Sequence, residues 1–339
     1  MNKNFILYLI LAIAFVVISP YVFEDYGIRI LNNIFIFLIL AASYNLINGI
    51  TGQFSLEPNG FVAIGAYTTA LCLLSEDLKW DLFQLEDPAP WVLALNTSLV
   101  PALLLSGVIA SIVAVLLAAP VFRVRGDYLA IVTLGFGFII KVFAINSPEI
   151  TNGSIGLNEI PSLINIYWTG GIAIITVLIM LNIVYSKFGR AMKAVRDDED
   201  AASAIGINTF KIKTLAFGTS AFFEGIGGGL LAVLLTTISP DLFTFFLTFQ
   251  LLIIIVLGGL GSMTGTIIGT IIVIGGSEWL RFLDSPMNIF GLQTDAHPGL
   301  RMVVFSMILI LVMLFAREGL LGRKELSNII KRKDKKGKR

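Results

Sequence analysis

The sequence predicts an all-α, polytopic integral membrane protein, and three observations carry that expectation. Hydrophobic residues make up 56% of the chain and charged residues only 14%, where soluble domains carry roughly a quarter. Mean hydropathy over the whole chain is +0.87. The apolar residues are also gathered into runs of about 20, the number that crosses a bilayer as helix.

Taken in order, the runs fall at 5–19, 28–48, 60–75, 91–119, 128–146, 167–186, 214–237, 245–258, 264–280 and 299–316, which gives about ten spans. The first follows Lys3 and ends in "VISP", as a signal peptide could. It lacks a small-x-small cleavage pattern and many spans follow, so a retained helix is the expectation. Residues 1–316 then form one transmembrane domain with a water-facing loop at 187–213, and residues 317–339 form a basic tail.

Basic residues favour the cytoplasmic side. With the N-terminus inside, 19 of the 24 lysines and arginines fall on that side, among them Arg123, Arg125, Lys187, Arg190, Lys193, Arg196, Lys211 and Lys213. The opposite side carries acidic loops such as "SEDLKWDLFQLED". Both termini inside requires an even number of spans, and the tail reads as a segment beside anionic lipid head groups rather than a nucleic-acid binder.

Several chemistries are excluded. One cysteine, Cys72, cannot form a disulfide within the chain or a cysteine-based metal site. One histidine, His297 beside a proline, cannot build a multi-histidine centre. No GxxxxGK[ST] loop is present to cradle nucleotide phosphates, so any ATPase must be another polypeptide, and no cofactor is expected.

Two connections are glycine-rich rather than polar: "NGITGQFSLEPNGFVAIGAY" at 48–67 and "GGLGSMTGTIIGT" at 258–270. Irregular backbone at membrane depth is tolerated where protein buries it or where it lines a cavity. Both precede a span running outward, a pattern compatible with a weak internal repeat. The first carries Gln53, Ser55, Glu57 and Asn59 and is read as lining a path; the second stays open between cavity and tight turn. Glu224, in "AFFEGIGGGLLA", would cost about 2.5–3.5 kcal/mol facing lipid and is expected to face protein or water. Gly225 and Gly229 make a GxxxG pair for close helix approach. Gly261, Gly265 and Gly269 suggest a smooth packing face. Lys141 is placed to snorkel, and Glu278 beside Trp279 reads as an interfacial anchor.

The loop "GRAMKAVRDDEDAASAIG" is charged and helix-compatible in an otherwise apolar chain. Its small apolar patch, Ala201, Ala202, Ala204 and Ile205, closed by Gly206, suits a short helix seated in another protein's groove. A plain solvated loop is the alternative on charge alone. "DAASAIG" resembles the EAAxxxG loop of permease subunits of ABC importers, with Asp200 in place of Glu and with Ala201, Ala202 and Gly206 matching.

The likeness extends along the chain. "GQFSLEPNGFVAIGAYTTAL" (52–71), "RVRGDYLAIVTLGFG" (123–137), "GRAMKAVRDDEDAASAIGIN" (189–208) and "VLGGLGSMTGTIIG" (256–269) occur in this order. Together they resemble the LivM-type permeases of branched-chain amino acid ABC importers, over about residues 40–316. The pattern departs at Glu57-Pro58, at Phe138, where an acidic residue is common in the family, and at Glu224, where a small one is common. The resemblance implies a non-catalytic permease subunit in a heterodimer with a LivH-type permease. It also implies two cytoplasmic ATPase subunits and an extracytoplasmic binding protein, with Leu, Ile or Val as substrate. It implies, too, that Arg190, Asp200, Ala201, Ala202 and Gly206 belong to a coupling helix, with Ala201 and Ala202 covered by the ATPase. A urea or short-amide permease shares the fold. A stand-alone ion-coupled transporter would need an intramembrane carboxylate site, for which Glu57 and Glu224 are the candidates, and a structural scaffold fits poorly with the glycine-rich breaks.

Overall fold

A computed structural model describes residues 3–124, 126–284, 287–289, 292–294, 299–316 and 319–322. Arg125, His297 and the basic tail from residue 323 lie outside the described residues. The fold is helical as expected. Helix α1 (Lys3–Val22) turns back into α2 (Asp25–Asn45), which continues through a π turn, Leu46–Ile50. Next come α3 (Pro58–Leu73), two short helices α4 (Glu76–Leu82) and α5 (Pro90–Leu93), then α6 (Leu99–Val121) and α7 (Asp127–Ile145). A single turn α8 (Pro148–Thr151) leads to α9 (Ile166–Tyr185), and α10 (Lys187–Asp197) and α11 (Glu199–Ala204) form the charged loop. The chain then runs through α12 (Thr209–Leu235), α13 (Phe245–Gly258) and α14 (Met263–Thr270). A second π turn, Ile271–Gly275, joins α14 to α15 (Gly276–Trp279), and α16 (Leu300–Phe315) follows. Between α15 and α16 lies a small hairpin, β1 (Met287–Ile289) paired antiparallel with β2 (Leu292–Thr294).

The expected count of about ten spans is not reached on length and composition. Among the described residues six helices are long and apolar enough to cross a membrane, or seven if α3 and α4, bent by 118°, are one broken span. Four expected spans fall short: the apolar part of α1, Leu7–Val22, makes only a shorter apolar helix, α3 and α16 hold 16 residues each, and the 263–279 stretch is interrupted by its π turn.

Helix starts follow the side chains. Asn165, Ser186, Asp198, Asn208 and Ser262 each accept a hydrogen bond from a backbone N–H in the turn they open, satisfying donors that a helix end leaves free. Pro58 sits in the first turn of α3, where its missing N–H costs nothing.

α12 runs through the middle of the bundle, packed on α2, α3 and α6. The close approach expected of its glycines is present. A methyl on Gly225 would meet Ala110 Cβ at 2.9 Å and the Ser106 carbonyl at 2.7 Å, and Gly65 of α3 abuts the Gly225 backbone. Gly229 lies against Thr69 and Leu103. Aromatic rings join α3 to α7 and α12, with Phe61 tilted against Phe136 at 4.9 Å and edge-on to Phe217 at 5.4 Å. In the 258–270 segment, Gly265 and Gly269 do pack on the α13 backbone. Gly261 does not share that face: it lies ahead of the helix in the turn capped by Ser262, with φ +84°.

Lys141 finds a partner rather than a head group, at 2.7 Å from Asp241. Glu278 accepts from Tyr26 and pairs with Arg281, while Trp279 projects into the surroundings, as an interfacial anchor would. Beyond the end of α3, Lys79 is fully buried, its ammonium donating to the carbonyls of Val92 (2.8 Å) and Leu95, so the 76–95 segment is an ordered cap.

Candidate coupling loop and translocation path

The first glycine-rich break is built around peptide groups. Ser55 N–H donates to Asn48 Oδ1 at 2.9 Å, and the Ser55 carbonyl accepts from Tyr44 OH at 2.7 Å and from Asn48 Nδ2 at 3.2 Å. Leu56 N–H donates to Thr133 Oγ1 at 2.8 Å. Side chains of the preceding helix and of α7 thus satisfy irregular backbone that the bilayer could not.

The five predicted path residues do not form one set. Ser55, Glu57 and Glu224 are buried, and among the described residues Ser55 Oγ, both carboxylate oxygens of Glu57 and Oε2 of Glu224 have no hydrogen-bond partner. Glu57 and Glu224 lie within electrostatic reach of each other, and Tyr44 senses both. The other Glu224 oxygen meets Ser220 Oγ at 2.8 Å. Asn59 turns elsewhere, tying α3 to α13 through Phe243 O (3.3 Å) and Thr248 Oγ1 (3.2 Å). Gln53 is half-buried, near Thr51 O.

The charged loop is two helices rather than one. α10 carries its apolar face inward on Met192 and Val195, with Arg190 on the exposed side. At Asp198 the backbone extends (φ −161°, ψ 112°), and the carboxylate caps α11 by accepting from Ala201 N–H at 2.9 Å. α11 ends in a Schellman pair, with Gly206 N–H to Ser203 O at 3.0 Å and Ile207 N–H to Ala202 O at 3.1 Å. That ending requires the left-handed conformation found at Gly206, φ +89°. Lys213, 2% exposed, fastens the loop to α12 through Glu199 at 2.6 Å. Asp200, Ala201 and Gly206 are exposed, and Ile205 is 77% exposed. Ala202 is not free to enter a partner, because the chain's own core covers it.

Residues that sequence reasoning passed over carry much of the site. Tyr44, Asn45 and Asn48 punctuate the end of an apolar run, "AASYNLINGI", and that polar punctuation was the available signal. Arg196 counted only as one charge in a row, although its guanidinium reaches Gly49 O, 147 residues away in sequence.

A helical bundle threaded by one buried, glycine-rich helix, with a capped charged loop at one end, is the architecture of a multi-pass membrane transport subunit. The family of permease components of branched-chain amino acid transport systems matches residues 27–313, and the chain belongs to it. LivM, a high-affinity branched-chain amino acid transport permease protein of Escherichia coli K12, is 31% identical over 81% of this chain and 68% of its own length. LivM of Salmonella typhimurium is 30% identical over the same shares. LivH of Escherichia coli K12 is 27% identical over 86% of this chain and 93% of its own length. No solved structure matches the chain.

Proposed function

We propose that the chain is the membrane-spanning permease subunit of an ABC importer for Leu, Ile or Val, alternating its open side as separate ATPases close and part. It is non-catalytic, pairs with a LivH-type permease, and works with two cytoplasmic ATPase subunits and an extracytoplasmic binding protein. Both termini and the 187–213 loop face the cytoplasm. The observation that carries this reading is the loop: α10 and α11 are held to the bundle by Lys213–Glu199, yet they leave Arg190, Asp200, Ala201, Ile205 and Gly206 outward. A small-residue surface rimmed by charge and held rigidly at a bundle's end suits a partner's cleft, and rigid-body switching needs such a stiff handle.

Ala201→Trp tests it without touching the chain's own core, since Ala201 is exposed. In the reconstituted importer this variant should lose substrate-stimulated ATP hydrolysis by about tenfold, overpacking of 1–3 kcal/mol being typical. Full stimulation with normal co-purification of the ATPases would return the loop to a solvated connection. The buried carboxylates Glu57 and Glu224 favour one rival, a stand-alone ion-coupled carrier. Uptake that continues in the absence of ATP and ATPase subunits would select it.

A further inference from the structure

Arg196 lies where three elements meet. Its Nη1 donates to the carbonyl of Gly49 at 3.3 Å, inside the π turn that ends α2. The donor that an α-helix would offer that carbonyl, Gln53 N–H, goes to Ile47 O instead at 3.0 Å. The side-chain stem lies on Gly52, whose φ of +72° and missing Cβ leave it room. Beside the guanidinium is Gly261 of the second break, where an added methyl would stand 3.3 Å from Nη1. The two breaks are joined directly as well: Gly261 N–H donates to Asn45 Oδ1 at 2.9 Å, and Asn45 Nδ2 donates to Ser262 O and Thr266 Oγ1. Nε and Nη2 of Arg196 hold Asp197 Oδ1 at 3.1 and 3.0 Å, fixing the fork at the last residue of α10.

We propose that Arg196 is the positioning residue through which the 187–206 loop sets the geometry of both glycine-rich breaks. This rests on the coupling reading above. The physical basis is a cation supplied in trans to the free carbonyl end of a helix, where the helix dipole favours positive charge and the last carbonyls lack intrahelical donors. Displacement of α10 draws the guanidinium with it, and the Gly49 carbonyl, Gly52 and Gly261 form one contact surface with that side chain. Movement of the loop therefore changes the first break directly, and the Asn45 bridge carries the change to the second.

The test uses the complete importer in proteoliposomes, with Phe54→Cys in a Cys72→Ser background reporting on the first break; Phe54 is 46% exposed. Labelling of residue 54 is compared between nucleotide-free and vanadate-trapped states. With Arg196 present the two rates should differ. In Arg196→Ala the ATPases should still co-purify and hydrolyse ATP, the labelling difference should vanish, and uptake should fall about tenfold or more, the scale of a lost charged hydrogen bond. Arg196→Lys, which keeps a cation able to reach the Gly49 carbonyl, should restore part of the difference. Gly52→Ala, which displaces the Arg196 stem without changing its charge, should reproduce the loss. A labelling difference of undiminished size in Arg196→Ala, or loss of ATPase co-purification in that variant, overturns the assignment. Failure of the coupling reading itself is seen separately, as full stimulation in Ala201→Trp.

Discussion

Ser55 gives its peptide group to Tyr44 and Asn48, and its hydroxyl has no partner among the described residues. Removing an unpaired buried hydroxyl costs little, whereas removing one partner of a buried pair strands the other, at about 1–3 kcal/mol. Ser55→Ala should therefore leave the melting temperature of the purified protein unchanged, while Asn48→Ala should lower it clearly. Equal losses in the two would refute the bonding pattern. Ser55 and Gln53 are also the positions at which an uptake defect would report on the path itself. Asn59→Leu breaks the ties to Phe243 and Thr248, so its defect would mix transport with packing.

The helices of the charged loop were legible at their last residue and not at the break between them. Gly206 is the expected close of the loop helix and does close α11, while Ser186, which opens α10, is a starting residue type that sequence reasoning passed over. The break at Asp198 was invisible, because residues 190–206 are helix-compatible throughout and only the Asp198 carboxylate accepting from Ala201 N–H marks the second start. The π turn Leu46–Ile50 was invisible for a related reason: no residue in "LINGI" is one that a π turn accepts and an α-helix does not. Gly206→Val forces a branched side chain into φ +89° and opens the Schellman bonds. A cost of roughly 1–2 kcal/mol is expected from the backbone alone, and α11 should lose its amide-exchange protection while α10 keeps it. Unchanged protection across 199–204 would contradict this.

For the whole molecule, composition and the distribution of basic charge gave the membrane class and an orientation to test. Cysteines placed in 76–87 should label from outside and those in 190–212 from inside, in a background lacking the buried Cys72; reversed accessibility would discard the orientation. What composition could not reveal was contact between distant segments. Asn45 and Gly261, 216 residues apart, meet because two short breaks with free peptide groups satisfy one another, and nothing local in either stretch names its partner. The residue pair Glu57 and Glu224 was half legible: each stood out as an acidic residue in an apolar run, and their proximity came only from the packing of α3 on α12.

The burial of α12 bears on how the protein is made. The helix contains Glu224 and five glycines, and 78% of its most apolar stretch is covered by other parts of the chain. Its neighbours α2, α3 and α6 leave the ribosome before it. A glutamate at mid-bilayer disfavours release into lipid by about 2.5–3.5 kcal/mol, so α12 has a docking groove waiting and little reason to partition into the membrane by itself. Residues 209–235, transplanted into a host that scores translocon insertion by glycosylation, should integrate poorly, whereas residues 99–121 should integrate almost completely. Equal integration of the two would mean that α12 enters the bilayer first and finds its groove afterwards.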